Sequence, residues 1–504
     1  YNISHVEKVP LSLKLDPVLL EMPYPDWAKD GDLIKISILL MRDAEFENAL
    51  NRITQKEIRV FESDPYSMII RASISPTDIQ EIVQMEEISH ISLVSPPGEP
   101  EDIKGNSLHR SNAINTAMLN GRKYDGSGVS VAVNDDGYVG PHIDFAGRLE
   151  QSDVANDFTG DHGDMVAGIL GGAGNLNPMY EGMAKGAKMH IRQYNGSLPG
   201  SVQLHQDSGV VLFSSSYSNG CNAGYTSLTR KVDLEIRLNP ALIQVFSAGN
   251  AGSSNCGYGA GSGWGNITGG HKQGKNVIAT ANILNNGMIV NSSSRGPAND
   301  GRIKPDISAN GNGQMSTDPN NVYATGSGTS AAAPGVSGVL AQLYQAYREL
   351  NNQEDPNSGL LKGILLNTAE DYGNEGPDFT FGWGRLNAYK AVKVLEENRY
   401  IDSSISQGET HRYQLVIPDN VKEVKVMAYW MDREAFPSAS KALVNDLDVK
   451  LISANSEHLP WILNTTPNSS SLSSPATKGE DHLNNMEQVS FVNQSDYNYE
   501  IELV

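Results

Sequence analysis

Gly328-Thr329-Ser330-Ala331-Ala332-Ala333-Pro334 turns a glycine-rich segment into a long run of small, helix-compatible residues. A serine placed there meets unpaired backbone N–H groups and the positive end of a helix dipole, both of which favour negative charge nearby. Taken alone, Ser330 reads first as an N-capping serine ahead of a core helix. Two other stretches change that reading. Val129-Ser130-Val131-Ala132-Val133-Asn134-Asp135-Asp136-Gly137 is an apolar, β-branched run that ends in an acid before a glycine. It predicts a buried parallel strand with Asp135 at its C-terminal edge, where open α/β sheets build their sites. Asp161-His162-Gly163-Asp164-Met165-Val166-Ala167-Gly168-Ile169-Leu170 places His162 at the start of a helix of small residues. The fold class these elements predict is α/β, with a parallel sheet.

The chain order Asp135, His162, Ser330 is that of the subtilisin-like serine proteases. Val-Ala-Val-x-Asp-x-Gly, His-Gly-x-x-Val-Ala-Gly and Gly-Thr-Ser-x-Ala-x-Pro resemble the three signature blocks of that family, the subtilases. Phe246-Ser247-Ala248-Gly249-Asn250 resembles the strand and turn that carry the family's oxyanion-hole asparagine. Ser293-Ser294-Arg295-Gly296-Pro297, followed by Gly301 to Asp306, is similar to a segment many subtilases carry before the nucleophile. The resemblance implies a triad of Asp135, His162 and Ser330, with the Asn250 amide and the Ser330 N–H stabilising the oxyanion. It also implies substrate walls at Ser216, Tyr217 and Ser218 and at Ser247, Ala248 and Gly249, with the loop Gly252 to Gly265 closing the pocket and an edge at Leu198-Pro199-Gly200.

Several positions depart from the family pattern. Asp136 stands where Ser or Thr usually follows the catalytic acid; a second carboxylate there either raises the His162 pKa or faces solvent or a cation. Asp164 and Met165 replace the Thr and second His of the usual His-Gly-Thr-His. Asn310 stands in place of a Pro, and Gly335 where bacterial members often have His.

With 504 residues the chain is too long for one ordinary domain, and three are expected. Charged residues make up only 19%, against 49 glycines, a loop-rich rather than disordered composition. A net charge of −21 argues against nucleic acid or an anionic membrane as partner. No apolar run reaches the roughly 18 residues of a membrane helix, and Tyr1 suggests a processed start.

Residues 1–100 are expected to hold a propeptide-like domain. Asp32 to Leu40, Ile58 to Glu62, Tyr66 to Ser73 and Ile88 to Val94 read as strands, Ala44 to Arg52 and Pro76 to about Glu86 as helices. That β-α-β-β-α-β order is the ferredoxin-like split motif and is similar to the inhibitory propeptide of subtilases. Two options stay open: a zymogen cut near Ser95 to Pro100, or a permanently retained domain. Residues 101–398 are the expected catalytic domain, ending in helices at Gly359 to Ala369 and from Phe381 through Glu396. In 399–504 the period changes to two, which predicts an antiparallel, jelly-roll-like sandwich with strands at His411 to Ile417, Glu423 to Trp430, Asp446 to Ile452, Val489 to Val492 and Tyr497 to Val504.

The two cysteines, Cys221 and Cys256, are either a thiol pair or one bridge, and by the resemblance both flank the substrate cleft. No cofactor is expected for the chemistry. Structural Ca²⁺ is the one ion the resemblance allows for, and no ligand set is assigned; Asp153, Asn156 and Asp157 are candidates by composition alone, and the Asp446 and Asp448 pair reads as surface acids. The expected function is a secreted or extracytoplasmic, monomeric serine endopeptidase acting on polypeptide through an acyl-enzyme. The alternatives are a catalytically silent or autoinhibited binding protein, and a processing protease for one partner.

Overall fold

The computed structural model describes residues 10–20, 22–56, 58–94, 104–119, 121–155, 160–194, 198, 200–493 and 497–504. The chain divides into two compact units, Tyr1–Glu101 and Asp102–Val504.

In the first unit, alternation of buried and less buried residues along Leu33–Leu40 marks a strand with one face on a core. It pairs antiparallel with Ile69–Ile74 on one side and Ile88–Leu93 on the other, and Ile69–Ile74 pairs in turn with Arg59–Asp64. This is the strand order of the split β-α-β motif. Ile36, Ile38, Ile70, Ile79, Ile82 and Ile91 fill the core under the helix Phe46–Thr54. Two expectations need correction. The third strand starts at Ile69, because Asp64 accepts from the N–H groups of Tyr66 and Ser67 and closes a turn there. The second helix is short: a 3-10 turn at Pro76–Asp78, capped by Ser75, runs into only Ile79–Ile82. The proposed cleavage segment, Ser95 to Pro100, lies outside the described residues.

The second unit is built on a seven-stranded, all-parallel sheet. Its order is Ile307–Asn310, Ile278–Ile283, Ile243–Ser247, Val210–Ser215, Ser130–Asp135, Lys188–Gln193, Leu149–Glu150. Val131, Ala132 and Val133 are all fully buried, as a strand covered on both faces requires. The chain's first strand in this sheet, Ser130–Asp135, has later strands on both sides, so the strand order reverses there. Open α/β sheets place their sites at the strand ends beside such a reversal. Helix Thr329–Leu350 crosses the sheet and meets helix His162–Gly171. Small residues let the two helices close up: a Cβ added at Gly338 would lie 2.5 Å from Met183 Cβ and 2.8 Å from Leu170 O.

Helix Ser358–Asn367 is close to expectation, whereas the last helix is Ala388–Glu396 alone. Phe381 to Asn387 forms a turn, with Gly382 and Gly384 at positive φ and pressed against backbone carbonyls. Beyond it antiparallel strands form, two with bounds other than expected: Val449–Ile452 begins after Asp446 and Asp448, and Met486–Val492 begins ahead of Val489. Asn498–Leu503 lies between His411–Val416 and Val449–Ile452, and Glu423–Tyr429 pairs with Met486–Val492. Val424, Val449, Leu451, Val489 and Tyr499 make their shared core. These strands are tied to the parallel-sheet region by burial: Lys275 pairs with Asp432, and Trp461 and Met486 join the main core. Asp446 and Asp448 precede the strand Val449–Ile452 instead of lying on it, and Asp446 faces Lys441 and His482.

Candidate active site

Asp135 ends its strand 5% exposed, and its Oδ1 sits 2.5 Å from His162 Nδ1. His162 is the first residue of its helix. Asp136 fixes that start: its Oδ2 accepts the His162 N–H at 3.0 Å and its Oδ1 the Gly163 N–H at 2.8 Å. The second carboxylate is thus a helix cap, a role that the Asp-Asp-Gly run alone did not reveal. Glycines make room for it, since a Cβ at Gly160 or Gly163 would lie 2.3 or 2.5 Å from its oxygens. The hydrogen bond that His162 donates to Asp135 holds the His162 pKa above the ordinary histidine value against partial burial, and the charges of Asp135, Asp136 and Asp161 add to that rise.

Ser330 is the second residue of its helix, and Gly328 at φ 130° takes the cap position expected for the serine. Its Oγ donates to the Ser216 carbonyl at 3.1 Å, while Ser216 Oγ donates back to the Ser330 carbonyl at 3.1 Å. Among the described residues no hydrogen bond joins Ser330 to His162. Asn250 Oδ1 accepts both the N–H and the hydroxyl of Thr329, each at 3.0 Å. Those two donors fix the amide's orientation, and Nδ2 has no acceptor among the described residues. The Ser330 N–H has none either among the described residues, as befits the first turn of a helix. Two unspent donors therefore stand side by side. Gly328 is needed beneath them, because a Cβ there would lie 3.2 Å from Asn250 Nδ2 and its φ is one that glycine alone adopts readily.

The remaining wall residues take different places. Ser218 is exposed, and Tyr217 stacks on Tyr194 with ring centroids 3.4 Å apart. Ala248 spends its N–H on Thr280 O and its carbonyl on Thr268 N, and Ser247 Oγ accepts from buried Lys272. Leu198 is buried, and its neighbour Pro199 lies outside the described residues. A disulfide joins Cys221 to Cys256. The loop Gly252 to Gly265 is held from the C-terminal region as well, through Tyr258 Oη to Thr465 O and Trp264 Nε1 to Ser469 Oγ.

Asp164 is wholly buried, accepts the Gly140 N–H at 2.8 Å, and is pushed up to a pKa of about 7, first by burial. It packs as a polar core residue, beside Met165, whose Sδ fills the space over Gly326. Asp153 pairs with Arg192, whereas Asn156 and Asp157 lie outside the described residues. Among the described residues no group of three or more His, Cys, Asp or Glu side chains is placed to hold a metal ion.

A family model, the subtilase family, matches residues 126–384. Thermitase of Thermoactinomyces vulgaris is 29% identical over 283 residues, 53% of this chain and 90% of that protein. Alkaline elastase YaB of Bacillus sp. (strain YaB) is 27% identical over 368 residues, covering 66% of this chain and 86% of the relative. Subtilisin DY of Bacillus licheniformis is 26% identical over 293 residues, 56% and 96% of the two chains. The matched span runs from just before the strand of Asp135 past Ser330, so it takes in the whole constellation described above. The chain belongs to the subtilase family and is a subtilisin-like serine endopeptidase.

Proposed function

We propose that the chain hydrolyses peptide bonds with Ser330 as nucleophile, His162 as general base and then acid, and Asp135 as the group that orients and stabilises the imidazolium. The observation that carries this reading is the 2.5 Å contact from Asp135 to His162 Nδ1, which leaves Nε2 as the basic nitrogen. Serine becomes a useful nucleophile only when a base takes its proton. The Ser330 hydroxyl, held on Ser216 in the free protein, passes to His162 Nε2 as substrate enters; such contacts commonly tighten only in the complex. Attack gives a tetrahedral oxyanion, which the Ser330 N–H and Asn250 Nδ2 receive. His162 then protonates the leaving amine, and water releases the acyl group by the reverse sequence.

The same reading makes the substrate an extended polypeptide, bound between Ser216 to Ser218 and Ser247 to Gly249. It makes the enzyme a monomer that works outside the cytoplasm, in keeping with its disulfide. Among the described residues no helix is long and apolar enough to cross a membrane. The N-terminal unit has the strand order of the split β-α-β motif and is proposed to be a permanently retained, non-inhibitory domain of the active enzyme. Casein hydrolysis by the full chain tests the proposal: wild type should release peptides, and Ser330→Ala should release none. Equal hydrolysis by both would refute it.

A further inference from the structure

Among the described residues of the larger unit, four lysines are buried to 1% exposure or less: Lys272, Lys275, Lys304 and Lys362. Three have carboxylate partners, Lys275 in Asp432 and both Lys304 and Lys362 in Asp306. Lys272 has none among the described residues. Its Nζ donates to Thr268 Oγ1 at 2.9 Å and Ser247 Oγ at 3.3 Å, and one of its three N–H bonds is left over. Burial, with no opposing charge, draws its pKa down to about 7. A buried ammonium without a counter-charge is costly to keep. In a chain of net charge −21, a carboxylate would be the easiest partner to supply from within.

The place of this cation gives the missing partner an identity. Thr268 Oγ1, which accepts from Lys272, also accepts from exposed Ser218 Oγ at 3.0 Å and lies 3.4 Å from Ala248 O. Thr268 presses on Gly249, where an added Cβ would be 2.2 Å from its Oγ1. Ser218 belongs to the segment whose Ser216 exchanges hydrogen bonds with Ser330, and Ser247 to the strand end that leads to Asn250. Lys272 therefore sits one hydroxyl behind the seam between the two segments that flank the nucleophile. Its neighbour His271 supplies no negative charge. Wholly buried, with neither ring nitrogen hydrogen-bonded among the described residues and a pKa drawn down to about 3, it is neutral and packs edge-on against Phe246.

We propose that Lys272 is a specificity-determining residue and that the seam accepts, on the acyl side of the scissile bond, a substrate side chain ending in a carboxylate, glutamate ahead of aspartate. The longer side chain is preferred because Thr268 stands between the seam and the ammonium. The inference rests on Ser330 being the nucleophile. Binding exchanges a hydroxyl contact for a charge-assisted one, with the Lys272 N–H bonds donating to the incoming carboxylate.

The experiment compares kcat/KM for two peptides that differ only in Glu or Gln before the scissile bond, with full-length wild type and Lys272→Met. Wild type should prefer Glu by about tenfold or more, the worth of one buried charged hydrogen bond, and Lys272→Met should lower that ratio to about one. A wild-type ratio at or below one overturns the proposal without reference to the variant, so a misfolded Lys272→Met does not blunt the test. An equal Glu preference in both proteins overturns it as well. Fluorophosphonate labelling of the same samples separates the two levels of failure. Labelling at Ser330 without a Glu preference defeats the specificity assignment alone, whereas no labelling defeats the nucleophile and the specificity together.

Discussion

Ser216 and Ser330 hold each other by reciprocal hydrogen bonds, Oγ of each to the carbonyl of the other, both at 3.1 Å. Pro334 makes the exchange available. In an α-helix the carbonyl of residue 330 would accept from the N–H of residue 334, and proline has none. The orphaned carbonyl is taken by Ser216, which ties the segment just beyond the strand Val210–Ser215 to the nucleophile helix at the residue where position matters most. Ser216→Ala should leave that carbonyl buried and unsatisfied, at a cost of about 1–3 kcal/mol. Denaturant unfolding of Ser216→Ala and Ser216→Ala/Pro334→Ala would check it, the restored N–H of the double variant recovering part of the loss.

Asn250 presents its Nδ2 beside the Ser330 N–H, and neither has an acceptor among the described residues. Asn250→Ala should lower kcat by about 10²–10³-fold, the loss typical of one oxyanion donor, with KM changed far less. Steady-state kinetics on one peptide substrate reads both constants.

The Asp136 carboxylate acts on His162 twice, by capping its helix and by its charge. Activity needs the neutral imidazole, and a raised pKa moves the acid limb of kcat/KM to higher pH. Asp136→Asn removes the charge while keeping one acceptor oxygen, so its acid limb should lie at lower pH than that of wild type. A pH–rate profile of the two proteins decides it. An unmoved limb would mean that the carboxylate serves the helix start alone.

Burial raises the Asp164 pKa to about 7, above an unfolded value near 3.9. The protonated form is the one the fold prefers, so the stability it supports is complete below about pH 4 and is lost as pH rises toward about 7. Asp164→Asn keeps an acceptor for Gly140 and carries no charge. Its melting temperature should match wild type near pH 4 and exceed it increasingly up to pH 8.

The disulfide closes a sequence separation of 35 residues beside the site. Cys221→Ser/Cys256→Ser should lower stability by about 2–4 kcal/mol, measured by denaturant unfolding without reductant.

Much of this was legible in the chain, and the physical reasons differ from place to place. The buried strand ending at Asp135 was readable because β-branched apolar residues stop abruptly at an acid and a glycine. The nucleophile helix was readable because its small residues serve close packing. Asp136 by itself allows several roles, since a cap depends on where a helix 26 residues later begins. The short second helix of the N-terminal unit escaped because its proline and acidic start are equally good for a 3-10 turn. The turn at Phe381 to Asn387 escaped because its glycines answer to carbonyls distant in sequence. Lys272 was invisible for a similar reason: its lack of a carboxylate is a property of three dimensions.

Fluorophosphonate labelling of the intact chain, mapped by peptide mass spectrometry with His162→Ala as control, tests the central claim most directly. The account predicts modification at Ser330 alone in wild type and its near-complete loss in His162→Ala. Labelling elsewhere, equal labelling of both proteins, or none even after residues 1–101 are removed would contradict it.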